Sequence, residues 1–197
     1  KRFAPEAKGH GVPEVIESVI SKGGKMRARV VAIKALASSL TIASGGSVGR
    51  EGPIVQIGSA AGSVLGQYFK ISPRQLKVLV GCGAAGAIAA TFNTPIAAVI
   101  FAIELIVLEL RAKSFIPLVI ASVFSAHLAR FHLGNEPAFK VAQHTLSHPG
   151  ELFFYIGLGI VAGFVGILII KTLYGMEDLF DRIKVSFALK AIFGGLV

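Results

Sequence analysis

Charge is scarce in this chain of 197 residues: 16% are charged and 53% hydrophobic, where a soluble domain usually carries about a quarter charged residues. A soluble glycine- and alanine-rich α/β core would find too little polar surface here. Cysteine is scarcer still. The single Cys82 lies inside an apolar run and cannot build a disulfide framework or a thiolate metal cluster. His10, His127, His132, His144 and His148 show no close ligand spacing with acids, so the expectation is no metal and no cofactor. A cleavable leader pattern, low-complexity segments and direct repeats are also missing.

What is abundant is apolar length. Val30–Val48, Ile54–Phe69, Val78–Leu110, Phe115–Leu133 and Leu152–Leu173 each approach or exceed the roughly 20 residues that cross a bilayer core. Small residues fill them, with 23 glycines in all. Gly58, Gly62 and Gly66 make two GxxxG steps and Gly159 and Gly163 a third, the spacing that lets helices touch in lipid. The pattern predicts an all-α, multi-pass protein of the cell membrane, in contact with the lipid bilayer.

The net charge of +9 could point to nucleic acid, but the basic residues sit between the runs: Lys22, Lys25, Arg27 and Arg29; Lys70, Arg74 and Lys77; Arg111 and Lys113. That placement suits lipid headgroups, and no nucleic-acid partner is expected. Every connector is basic, so the orientation stays open. The polar stretch Asn135–Gly150 reads as an extramembrane loop, and the charged stretch Glu177–Lys184 as interfacial.

Three helix starts share one grammar. Gly9-His10-Gly11-Val12-Pro13-Glu14, Gly49-Arg50-Glu51-Gly52-Pro53 and Phe92-Asn93-Thr94-Pro95 each put proline where a first helical residue belongs and its missing N–H costs nothing. Asn93 and Thr94 suit capping of the helix at Pro95, which splits the Val78–Leu110 run in two. Irregular backbone at membrane depth survives only where protein or a watery cavity covers it, and transporters aim such half-helix N-termini at anions. Ordinary loop starts at the surface are the alternative. For Pro53 the apolar flanks favour the buried break; for Pro13 both readings stand.

Glu51 is the sharpest feature. It is an acid at a glycine-rich helix start, where free N–H groups and the positive end of the macrodipole attract anions. A carboxylate there can take an anion's seat itself, which is the behaviour of a gate. The literal GxGxxG of Gly81-Cys82-Gly83-Ala84-Ala85-Gly86 offers a competing reading, a nucleotide-binding enzyme. The chain stays apolar through Leu108, however, and Glu104 lies inside that run rather than after a second strand. Helix packing is the better use of these glycines.

On these residues the chain resembles the CLC family of chloride channels and chloride/proton antiporters. Gly49-Arg50-Glu51-Gly52-Pro53 is similar to the family's GREGP/GKEGP signature, Gly9-His10-Gly11-Val12-Pro13 to its GSGIP segment, and Ala90–Pro95 through Phe101–Glu104 to its third long block. The resemblance runs in order along all 197 residues. It implies a CLC-type fold of broken, tilted helices in inverted repeats. Residues 1–197 would form part of the transmembrane domain, with no separate soluble domain. A homodimer with one anion pathway per subunit is implied, and transport rather than an enzyme's chemistry.

Carried over by position, Glu51 is the gating glutamate, and the backbone around Gly49, Arg50 and Gly52 frames an outer anion site. His10, Gly11 and Val12 belong to a central one. His10 stands where the family has a serine that donates to the anion. Imidazole is larger and titratable, so the transported species is small monovalent anions, chloride first, with a non-chloride preference as the alternative. The inner proton-relay glutamate of the proton-coupled members falls on Leu105, which cannot carry a proton; channel and antiporter both stay open. The downstream GxFxP segment and the anion-coordinating tyrosine are expected beyond Val197, since Tyr68, Tyr155 and Tyr174 do not match its context, and the chain reads as a fragment.

Overall fold

A computed structural model describes residues 9–46, 48–108, 111–135 and 150–182. Among these the chain forms α1 (Val12–Ser21), α2 (Ala28–Ala43), α3 (Glu51–Tyr68), α4 (Pro73–Phe92) and α5 (Pro95–Phe101). A π-helical turn follows (Ala102–Val107), then α6 (Ala112–Leu133) and α7 (Glu151–Arg182). Two compact units divide it, residues 1–140 and 141–197.

In the first unit α4 is the central helix, packed on α3 along one side and α6 along the other. Its start is fixed locally: Ser72 Oγ accepts from the Gln75 N–H at 3.4 Å while Gln75 Oε1 accepts from the Ser72 N–H at 3.2 Å, a reciprocal cap that saves two orphan donors. The α3–α4 contact needs glycine on both helices. A Cβ at Gly58 would collide with the Gly83 carbonyl and one at Gly83 with the Gly58 carbonyl, so the backbones touch as small-residue stripes allow. On the other side Gly81 lies against Val107 and Leu118, and Ser125 Oγ donates to the Gly86 carbonyl at 2.8 Å. All three glycines of the GxGxxG string are thus helix-packing residues inside α4, with no strand before them among the described residues.

The apolar core runs through Val15, Val19, Val30, Val55, Val80 and Ile106, all nearly or fully buried. The α1–α2 connector is clamped from α3. Ser63 Oγ accepts the Met26 N–H at 2.8 Å and donates to the Gly24 carbonyl at 2.6 Å, and Gln67 Nε2 donates to the Met26 carbonyl at 2.8 Å. Backbone groups of an irregular segment are thereby paired inside the unit.

Among the described residues, three helical segments are long and apolar enough to cross a membrane: Pro73–Phe92, Ala112–Leu133 and Glu151–Phe180. The Val78–Leu110 run is broken before Pro95 as expected. The capping differs from expectation. Asn93 closes α4 in the left-handed region at φ 58°, with its side chain taken by Arg130 and Asn135, and Thr94 makes no side-chain cap to α5. A residue that must end one helix and hold α6 is not free to start the next. The second unit is described through α7 alone, which continues to Arg182 and so carries the Glu177–Arg182 part of the charged stretch. Most of the Asn135–Gly150 loop lies outside the described residues.

Candidate functional site

At the start of α1, Gly11 takes φ 107°, ψ −54°, a backbone state open to glycine and strained for other residues. The turn is closed by the helix's own acid: Glu14 Oε2 accepts the Gly11 N–H at 2.6 Å. Its carboxylate lies so close over Gly9 that a Cβ there would collide with it. From α2, Lys34 Nζ donates to the Gly9 carbonyl at 2.8 Å.

At the start of α3, Arg50 is the residue before the helix and Glu51 its first member. Glu51 is exposed, and its carboxylate folds back over Gly49, occupying the space a Cβ on that residue would need. The acid therefore stays at the mouth of its own helix rather than turning into side-chain packing. Pro95 is the first residue of its helix, but Pro13 is the second of α1 and Pro53 the third of α3. All three still fall within the first turn, where a missing N–H loses no intrahelical bond.

These helix starts meet. A Cβ on Gly52 would collide with the His10 carbonyl oxygen, and one on Gly11 with the Gly52 carbonyl, so the two glycine-rich segments touch backbone to backbone. The third segment joins through a side chain, with the Arg50 guanidinium over the Phe92 ring, 5.7 Å from its centroid. Forty residues of separation between the GHGVP and GREGP strings thus collapse to direct contact. His10, Gly49 and Arg50 are exposed here, Val12 and Gly52 half-buried and Gly11 buried.

Leu105 sits exposed in the π-helical turn beside exposed Glu104, and the turn packs against α1 and α4. Single π-turns of this kind re-aim side chains and often mark functional positions. Two residues escaped the sequence reading, Glu14 and Lys34. Glu14 carried a signal, since an acid at the third helical position is the closing half of a capping box. Lys34 carried one too, as an isolated cation within the Val30–Val48 run.

The family model for the voltage gated chloride channel matches residues 1–197. Among curated relatives, the H(+)/Cl(-) exchange transporter ClcA of Cronobacter sakazakii is 36% identical over 191 residues, covering 93% of this chain and 40% of the relative. The transporter of the same name from Yersinia pestis is 34% identical over 189 residues, covering 92% and 38%. Among solved structures, a slow cyanobacterial Cl−/H+ antiporter superposes with a TM-score of 0.86 at 27% identity, covering all of this chain and 46% of that one. The chain spans less than half the length of each of these proteins.

Proposed function

This chain belongs to the voltage-gated chloride channel family, and on that footing we propose that the complete membrane protein moves small monovalent anions, chloride foremost, along a path gated by Glu51. The observation that carries this reading is the backbone contact between the start of α1 and the start of α3 through Gly11 and Gly52. Two positive helix ends converge there, and such ends attract an anion or a carboxylate. The Glu51 carboxylate lies at one of them and competes with the permeating ion for the same seat. A proton on Glu51, or an incoming anion, removes the block. Gly49, Arg50 and Gly52 line the outer position and His10, Gly11 and Val12 the central one. The Gly11 N–H, engaged by Glu14, would have to be shared or released to reach an anion. No resident cofactor or metal enters the cycle; the bound anion is cargo. The activity is transport without covalent chemistry.

Residues 1–197 supply part of a transmembrane domain. The exposed apolar side chains of α5 and α6, such as Ile96, Ile100, Ile120 and Phe124, offer surface for lipid or for a second copy in a homodimer.

The names of the two exchange transporters favour proton-coupled exchange, while a further relative, from Ralstonia nicotianae, bears the name of a chloride channel protein. A passive channel is the second reading, favoured by Leu105, which has no proton to pass. The experiment is a liposome assay on the full-length protein with chloride and pH electrodes. A chloride gradient that drives measurable uphill proton movement establishes exchange; chloride flux without it establishes a channel. No chloride flux in either setting refutes the proposal.

A further inference from the structure

The basic connectors are not spread evenly over the first unit; two of them meet. The α1–α2 connector lies against the start of α4, where a Cβ on Gly24 would stand 3.4 Å from the Lys77 nitrogen and one on Gly23 4.0 Å from Pro73. The last turns of α3 hold the same connector through Ser63 and Gln67. One end of the unit therefore gathers exposed Lys22, Lys25, Arg27 and Arg29 from the connector and the first turn of α2. Exposed Lys70 and Arg74 and half-buried Lys77 join them from the α3–α4 connector. α6 runs beside α4 in the same direction, with Leu118 at Gly81 and Ser125 at Gly86, so exposed Lys113 starts it at this end too. At the opposite end the arginines are engaged, Arg50 over Phe92 and Arg130 with Asn93.

Two further features give this end a specific chemistry. Tyr68 ends α3 and Phe69 follows it, edge to face at 5.3 Å and left 79% and 69% exposed beside Lys70. Uncovered rings next to cations suit the headgroup level of a bilayer. Between α1, the α1–α2 connector and α3 opens a cavity of about 1140 Å³, ample for a headgroup. Lys22, Lys25, Arg27 and Arg29 line it against two acids, Glu14 and Glu17, a net charge of +2. Both acids are already committed, Glu17 to Lys22 at 3.1 Å and Glu14 to the Gly11 N–H. We propose that this end of the unit is a docking surface for anionic phospholipids. The phosphate of one headgroup enters the basic cavity, neighbouring headgroups meet the cations of both connectors, and Tyr68 and Phe69 lie among the upper acyl carbons. Each cation held near an anionic leaflet multiplies the affinity by about fivefold. The lipid thereby clamps the far ends of α1 and α3, the two helices whose starts touch through Gly11 and Gly52.

The test is thermal unfolding of the full-length protein in a neutral detergent with rising fractions of phosphatidylglycerol, set against phosphatidylcholine and against soluble glycerol 3-phosphate. Phosphatidylglycerol should raise the melting temperature, and the other two should leave it unmoved. Lys25→Gln/Arg29→Gln/Lys70→Gln should need about tenfold or more phosphatidylglycerol for half of the effect. The charge-keeping Lys25→Arg/Arg29→Lys/Lys70→Arg should stay near the wild type. Equal stabilisation by phosphatidylcholine overturns the proposal, because the surface then reads acyl chains alone. Equal stabilisation by glycerol 3-phosphate overturns it too, since the ligand is then a free phosphate. A neutralised variant that responds like the wild type, or a charge-keeping one that responds like the neutralised, does the same. Should the neutralised variant fail to fold, the wild type decides in a chloride-free salt at about 1 M, where charges are screened beyond about 3 Å. Loss of the phosphatidylglycerol effect there supports the proposal, and its persistence overturns it. The melt requires no transport, so its outcome is separate from that of the anion-path reading.

Discussion

Replacing Gly52 with alanine tests whether the two helix starts work only because they touch. The added methyl would collide with the carbonyl oxygen and carbonyl carbon of His10. Both are backbone atoms, so no side-chain rotation relieves the clash. Gly11 in turn lies against the Gly52 carbonyl, which blocks retreat along the same axis. Overpacking of this kind costs about 1–3 kcal/mol, and backbone on both sides puts the value near the upper end. A loss of that size lowers the melting temperature by several degrees, the shift per kcal/mol shrinking as the cooperative unit grows. Gly86→Ala is the matched comparison on α4. A Cβ there meets Ser125 at 3.5 Å, an ordinary contact, and helix propensity favours alanine by about 1 kcal/mol. The assay is thermal unfolding of the full-length protein together with chloride flux from liposomes. Gly52→Ala should melt early and lose flux, while Gly86→Ala should match or exceed the wild type in stability. A Gly52→Ala protein that melts and conducts like Gly86→Ala refutes the convergence of helix starts as the basis of the site.

Ser63→Ala removes the hydroxyl that pairs with Met26, Gly24 and Gln67; buried partners left unpaired cost about 1–3 kcal/mol, and an unchanged unfolding midpoint would contradict the clamp. His10→Ser should shift the preference among chloride, nitrate and bromide measured by reversal potentials or competitive flux, and an unaltered order would take the imidazole out of the anion site. Leu105→Glu supplies a carboxyl at the π-turn and should raise the protons moved per chloride in the two-electrode assay, whereas an identical ratio would remove Leu105 from any proton route.

The fold was legible because lipid leaves the backbone few options. Apolar length marked the long helices, Pro95 marked the break after Phe92, and the Gly58, Gly62 and Gly66 steps marked a close helix contact. Capping was less legible. Asn93 looked like the start of α5 and instead ends α4, because Arg130 and Asn135 claim its side chain, a tertiary demand no local pattern reveals. The site was legible as strings but not as a junction. Nothing in the order of residues says that Gly11 meets Gly52 or that Arg50 stacks on Phe92; those contacts depend on how α1, α3 and α4 cross. Glu14 and Lys34 stayed hidden for a similar reason, since an acid in a first helical turn and a lone lysine gain meaning only when the Gly9 turn brings them together.

The most direct measurement is anion flux as a function of pH for wild type and Glu51→Gln in the full-length protein reconstituted in liposomes. Glutamine keeps the size of the side chain and removes its charge and its titration, so the block at the mouth of α3 can no longer be set by protons. The account predicts flux that changes with pH in the wild type and stays nearly flat in Glu51→Gln. Flux in Glu51→Gln that follows pH as steeply as the wild type would contradict it.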